Sequence, residues 1–472
     1  MDNTLLNYLP KYFYRKAFTS CVMVLVAVSL IFIHRILPLR WVLSDLLAII
    51  LFFYLSFRFT KHWRYLSVSA YTSKLLRTSL VIRIIWVLFS YVFFQIETGK
   101  PFEYQTADAY GYYQEAAWLS GLLTDHKWDV YLAYIGKNYG DMGYPTYLGL
   151  IYYLIGDSIL IPRIIKAILG AYTCLFVYKL TRNNFGESTG RIAGIMAMLV
   201  PNLIYYCGLH VKETEMVFLT VGFVYYADTL IRSGRLTLRH LLLLSLFWAS
   251  LFFFRTVLAG CLVGSFALAT VLTSSRVTTL LNRTVLYILV AIGVLLIANS
   301  PVMDNINENL KSSDKNLQSQ MRSFSTRADG SNRLASYGSK SIFLPLMLIA
   351  PFPTLVYISD QPAAMMMGGA FFTRNVYAFF VLVALIMLYK RRQLREHVLV
   401  ISVIFSYIFV LASSGFALSE RFHLPLIPFL MVLAAHGISQ MNQKNTRYFV
   451  PYLVVISAII IGWNWFKLAG RT

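Results

Sequence analysis

Apolar runs long enough to cross a lipid bilayer recur along most of the chain, and nothing else limits its possible folds so strongly. A helix needs about 20 such residues to span the hydrocarbon, because in lipid each backbone N–H and C=O must find its partner within the segment. On that length the sequence predicts about 13 spans. They fall near 18–36, 41–57, 78–96, 162–180, 190–208, 214–231, 240–254, 256–273, 284–300, 371–389, 397–413, 423–438 and 448–466. Hydrophobic residues make up 58% of the 472 and charged residues 13%. A soluble domain carries about a quarter charged residues, so that class is excluded. The expected fold is an all-α, polytopic transmembrane helix bundle. Two further apolar pieces, 146–156 and 342–358, fit less well. The first is too short to cross, and the second is broken by Pro345, Pro351 and Pro353, each lacking a backbone donor. Both are expected to lie in the interface or to re-enter from one face.

Charge gives the orientation. The formal net charge is +21, yet the bases do not form one stripe, so the chain is not read as binding nucleic acid. They sit between spans: Arg58, Lys61, Arg64, Lys74 and Arg77; Arg232, Arg235 and Arg239; Arg276 and Arg283; Lys390, Arg391, Arg392 and Arg395. Cytoplasmic loops hold such bases, which places 97–145 on the other side. That loop carries seven acids against three lysines, in keeping with an outer location. The N-terminus is then expected inside and the C-terminus outside. The first apolar run follows Lys11, Arg15 and Lys16 but precedes no small-residue cleavage site, so it reads as a retained span. Cys21, Cys174, Cys207 and Cys261 all lie in apolar stretches without CxxC spacing, which suggests buried thiols.

Three groups of polar residues stand out on the predicted outer side. The first lies within Thr106-Ala107-Asp108-Ala109-Tyr110 through Trp118, whose spacing reads as an amphipathic interfacial helix with Asp108 at its N-cap. A carboxylate there either caps the helix or takes a proton from an acceptor hydroxyl or amine. The second is His210-Val211-Lys212-Glu213-Thr214-Glu215 between two spans, where charges are costly unless paired or functional. Lys212 with Glu213 or Glu215 could form a local ion pair. The third comprises Arg255, Arg374, and Arg421 and His423 of Glu420-Arg421-Phe422-His423. The planar guanidinium of arginine suits a phosphate, and snorkelling to the interface is the other reading for Arg374. Acids and arginines on one side of a bundle suit a lipid-phosphate substrate, its tail between helices and its sugar in water.

These residues resemble the GT-C superfamily of polytopic glycosyltransferases, in particular its protein O-mannosyltransferase and lipid A aminoarabinose transferase branch (family 39-like). The resemblance spans about 78–440. It rests on Asp108-Ala-Tyr with Ala116, Tyr144-Pro145-Thr146-Tyr147 through Gly156-Asp157 and Arg163, and Arg182-Asn183-Asn184-Phe185-Gly186. Pro201, Pro351-Phe352-Pro353 and Arg421-Phe422-His423-Leu424-Pro425 extend it. It implies sugar transfer from a polyprenyl-phosphate-linked donor to a lipid, glycan or protein acceptor at the outer face, inverting the anomeric centre. It implies Asp108 as base and Glu213 or Glu215 as second acid. Lys212, Arg255, Arg421, His423 and Tyr110 are expected to bind substrate. A divalent metal ion is left open, since Asp108 has no adjacent acid and the second acid sits in Lys-Glu-Thr-Glu.

The organisation so read is an N-terminal pair of spans with a basic loop (1–77), a catalytic region (78–440) with outer loops 97–161 and 301–340, and a last span (441–472). Within enzymes, the alternative is an O-antigen polymerase or ligase-like protein relying on arginines and the 301–340 loop. Outside enzymes it is a lipid-linked glycan transporter or flippase, although polar residues here cluster toward the outer ends rather than the midplane. Loop lengths and signal-free insertion favour a bacterial inner membrane.

Overall fold

The computed structural model describes residues 6–104, 107–137, 140, 142–233, 237–272, 284, 288, 291, 346–413 and 419–468. The expected loop 301–340 lies outside the described residues, as does the expected span 284–300 apart from three isolated positions. Among the described residues the chain is helical, its one β-type contact being an isolated bridge between Ile36 and Val356.

Nine described helices are long and apolar enough to cross a membrane: Lys11–Ile31, Leu39–Trp63, Val68–Thr98, Leu160–Phe185, Glu213–Ser233, Gly368–Lys390, Leu394–Ala412, Glu420–Ser439 and Gln443–Leu468. The bent pair Glu187–Leu199 and Pro201–Gly208 makes a tenth if counted as one span, and Leu238–Phe254 and Thr256–Leu272 are apolar but shorter. The chain is therefore a multi-pass integral membrane protein. Its outer helices turn apolar side chains outward, as in Leu39–Trp63, where Leu39, Leu43 and Leu47 are exposed and Trp41, Ile49, Phe52 and Phe53 are buried. Lipid, rather than water, is the solvent that favours such a surface. At the centre, Gly368–Lys390 packs against Ile427–Ser439 so closely that a Cβ on Gly437 would overlap the Phe380 carbonyl oxygen. Small residues permit this approach between helices in membranes.

The bent pair explains how Glu213 and Glu215 are presented at one end of the bundle. Pro201 has no N–H, so the carbonyl of Ala197, four residues earlier, loses its helical donor. Arg83, fully buried on Val68–Thr98, supplies replacements: its guanidinium donates to the carbonyls of Ala197 and Met198, each at 3.3 Å, and to Ser79 Oγ at 2.6 Å. Gly170 makes room, since a Cβ there would lie 2.7 Å from Arg83 Nε. Trp86 Nε1 then donates to the Tyr205 carbonyl at 3.1 Å and Ser90 Oγ to that of Gly208 at 3.4 Å. Residues 83, 86 and 90 share one helix face, which thus fixes the chain leading to Glu213.

The segments expected on the outer side or in the interface depart in part from expectation. Residues 97–161 hold three helices, Ala107–Thr124, Trp128–Lys137 and Gly143–Ile155. Asp108 lies in the first turn of Ala107–Thr124 rather than at the N-cap. Within the described part of 342–358, residues 347–358 are not helical, and Met347, Leu348, Ala350, Phe352, Leu355, Val356 and Ile358 are buried in protein. Non-helical backbone at depth is stable where protein surrounds it. Side chains satisfy part of it here: Arg374 donates to the Met347 carbonyl, and Asn464 Nδ2 to that of Pro353 at 3.1 Å.

Candidate functional site

Asp108, Glu213 and Arg421 begin three helices that are distant in sequence and adjacent in space. Arg421 Nε donates to Glu213 Oε1, and its NH1 donates to Asp108 Oδ2. The two carboxylates differ sharply in setting. Asp108 has 62% of its side chain exposed, whereas Glu213 has 1%. Arg421 is therefore held from the protein side by Glu213 and presents its other edge to a carboxylate that water can reach. Both acids stand in the first turn of their helices, where the unpaired N–H groups favour negative charge.

Arg255 joins this group through Phe422, whose ring lies 4.4 Å below the guanidinium carbon. The residue breaks the apolar stretch between Leu238–Phe254 and Thr256–Leu272 in an extended conformation, at the hairpin turn expected from the sequence. Its backbone N–H closes the preceding helix on Leu251, which leaves the side chain at the end of the bundle.

Glu213 and Glu215 have separate partners. Glu213 pairs with Arg421, while Glu215 Oε2 lies 3.7 Å from Lys166 Nζ, both side chains being buried. Lys166 also donates to the carbonyls of Leu209, at 2.8 Å, and Val211. A lysine inside the predicted span 162–180 thus clamps the loop before Glu213; its place in an apolar run was the signal for it. Lys212 Nζ lies 5.8 Å from the Tyr112 ring. His210 is fully buried and shares a 3.0 Å hydrogen bond with the Tyr152 hydroxyl. Burial, with Lys166 and Arg163 nearby, holds its pKa well below the usual histidine value, so the ring is neutral.

Beside the triad opens a cavity of about 490 Å³ lined by Asp108, Gly111, Tyr112, Gln114, Glu115, Trp118 and Tyr134. Asp108, Tyr112 and Glu115 are spaced by four and three residues, so one face of the helix forms the wall. Tyr134, on the next helix, donates to Glu115 Oε1 at 2.7 Å, and that bond pushes its phenol up to about 12. Tyr110 turns elsewhere, packing on Phe102 and Tyr113 with Lys100 Nζ 4.6 Å from its ring. Tyr112, not Tyr110, therefore faces the cavity. His423 is fully buried and does not line it. Tyr112, Glu115, Trp118 and Tyr134 were not assigned from sequence, although the helical spacing from Asp108 marks the first two.

No described group of three or more His, Cys, Asp or Glu side chains converges as a metal site. Asp108 and Glu213 are bridged by the Arg421 guanidinium, a donor set that does not fit a divalent ion.

Residues 143–303 match a family model described as dolichyl-phosphate-mannose-protein mannosyltransferase. That family consists of glycosyltransferases of the GT-C type, in agreement with the resemblance carried by the residues. The matched stretch includes Lys166, His210, Lys212, Glu213, Glu215 and Arg255; Asp108, Arg421 and His423 lie outside it. No curated protein matches the chain.

Proposed function

Taking the mannosyltransferase-family match over residues 143–303 as premise, we propose that this protein transfers a sugar from a polyprenyl-phosphate-linked donor to an acceptor hydroxyl or amine. The reaction takes place at the extracytoplasmic end of the bundle, in a bacterial inner membrane, and inverts the anomeric centre. One observation carries the reading: Arg421 bridges an exposed carboxylate, Asp108, and a buried one, Glu213, at the mouth of an open cavity.

The chemistry follows from exchange at that guanidinium. A donor phosphate competes with Asp108 for Arg421, because both offer anionic oxygens to the same planar fork. The exchange frees the Asp108 carboxylate to accept the proton of the acceptor. The acceptor oxygen or nitrogen bonds to the anomeric carbon as the bond from that carbon to the phosphate oxygen breaks. Polyprenyl phosphate departs with the electron pair, and Arg421 and Arg255 face its added charge. Glu213 acts as the second acid by keeping the guanidinium in plane, while Glu215 acts through Lys166 on the loop that carries Glu213. The orientation is supported by charge: Lys390, Arg391, Arg392 and Arg395 lie at the end of the bundle opposite the triad, where cytoplasmic bases are expected.

The test is release of polyprenyl phosphate from a radiolabelled donor pool by protein in lipid nanodiscs. Wild type releases it together with labelled acceptor, and Arg421→Gln slows release by about 10²–10³-fold, the usual effect of losing one charge-stabilising group. Unchanged release in Arg421→Gln refutes the assignment.

A further inference from the structure

We infer that the cavity beside Asp108 is an acceptor subsite built for a sugar ring, so that the acceptor is a glycan or glycolipid rather than a peptide. The inference rests on the transfer reading above and adds the acceptor's chemical class.

Three features of the wall lead to it. Trp118 lines the cavity with 45% of its surface exposed, and Tyr134 meets it edge to face, with ring centroids 4.7 Å apart. That T-shaped contact restrains the indole, and the exposed part of the ring supplies π surface to the cavity it lines. The C–H groups on one face of a pyranose carry slight positive charge and stack on such a surface, which is negative over its centre. Second, Glu115 and Gln114 flank the indole within the same cavity. A carboxylate accepts two hydrogen bonds at fixed spacing and an amide both donates and accepts, a set that matches neighbouring sugar hydroxyls. Third, the volume of about 490 Å³ lies within the range of small-molecule pockets and exceeds what a serine or threonine side chain needs.

The acids do not form a cage for a cation. Glu115 already accepts from Tyr134, and Asp108 is paired with Arg421, so each negative charge has a partner before any ligand arrives. Their arrangement along one helix also sets the reaction geometry. Trp118 lies ten residues beyond Asp108, nearly three turns, which is about 15 Å at 1.5 Å per residue. A ring stacked on Trp118 leaves the next sugar, or the hydroxyl at its far side, directed toward Asp108. Trp118 and Glu115 are thus specificity residues, and Asp108 remains the proton acceptor.

The probes are two soluble series, methyl glycosides of hexose and N-acetylhexosamine disaccharides and short serine- and threonine-containing peptides. Binding to the full chain in nanodiscs is read by saturation-transfer NMR without any donor. The expected result is saturation of ring protons in a glycoside, at least tenfold weaker binding in Trp118→Ala and in Glu115→Gln, and near-normal binding in Trp118→Phe, which keeps a stacking surface. The peptides should give no signal. Glycoside binding equal in wild type and Trp118→Ala, binding of peptides alone, or no glycoside binding at all overturns the proposal. Because no donor is present, a failure of sugar transfer leaves this result standing, and a failure here leaves the base assignment standing.

Discussion

Arg83 offers a way to test whether the break at Pro201 is held by an outside donor. In Arg83→Met the carbonyls of Ala197 and Met198 stay buried and lose their guanidinium donors. An unsatisfied buried acceptor costs about 1–3 kcal/mol, so the two together cost about 2–6 kcal/mol. Removing a buried guanidinium acts in the opposite sense, because its desolvation penalty disappears too. The single variant therefore mixes two large effects, and a double-mutant cycle separates them. Pro201→Ala restores a backbone N–H that reaches the Ala197 carbonyl once Arg83 no longer holds the segment bent by 52°. Arg83→Met should then cost at least about 1 kcal/mol less in the Pro201→Ala background than in wild type. Reversible unfolding in mixed micelles, followed by tryptophan fluorescence, gives the four stabilities. Additivity within about 0.5 kcal/mol would refute the role assigned to Arg83.

Three further outcomes follow from the geometry. Gly437→Ala forces a methyl against the Phe380 carbonyl and should destabilise by about 1–3 kcal/mol; an unchanged unfolding midpoint would mean that the two helices are not in such contact. Glu213→Ala removes the buried partner of Arg421 and should cost about 3–5 kcal/mol, whereas Asp108→Asn, at the exposed end, should cost no more than about 1 kcal/mol; equal losses would contradict the asymmetry. His210 is held neutral in the folded state, so the unfolded chain binds the extra proton in acid. Stability should fall as pH drops below about 6.5 toward the folded-state pKa, by up to about 1.4 kcal/mol per unit, and His210→Phe should flatten that slope in unfolding at pH 7.5 and 5.5.

The membrane class was fully legible in the sequence because span length and hydropathy follow directly from the thickness of the hydrocarbon. The nine described helices long enough to cross fall where apolar runs placed them, fewer than the 13 spans expected, and the two helices that meet at Arg255 are apolar but shorter. Asp108, Glu213, Arg255 and Arg421 could each be picked out as charges at helix ends, but their pairing could not. Positions 108, 213 and 421 meet only through tertiary packing, which no local spacing rule reaches. The separate partners of Glu213 and Glu215 were hidden for the same reason: Arg421 and Lys166 lie 208 and 49 residues from the acids they hold. Tyr110 and Tyr112 show the limit of motif reading. Both stand in the motif, and only the helical register shows which one faces the cavity. The buried course of 346–358 was equally hidden, since prolines signal an interrupted helix without telling whether lipid or protein surrounds it.

The central claim, that Asp108 is the base of a sugar transfer from lipid phosphate, is tested most directly in membranes holding wild type or Asp108→Asn at equal, normally inserted levels. A radiolabelled polyprenyl-phosphate sugar pool is supplied, and both labelled product and bound donor are measured. The account predicts transfer by wild type, and loss of transfer with retained donor binding in Asp108→Asn. Equal transfer by both proteins would contradict it.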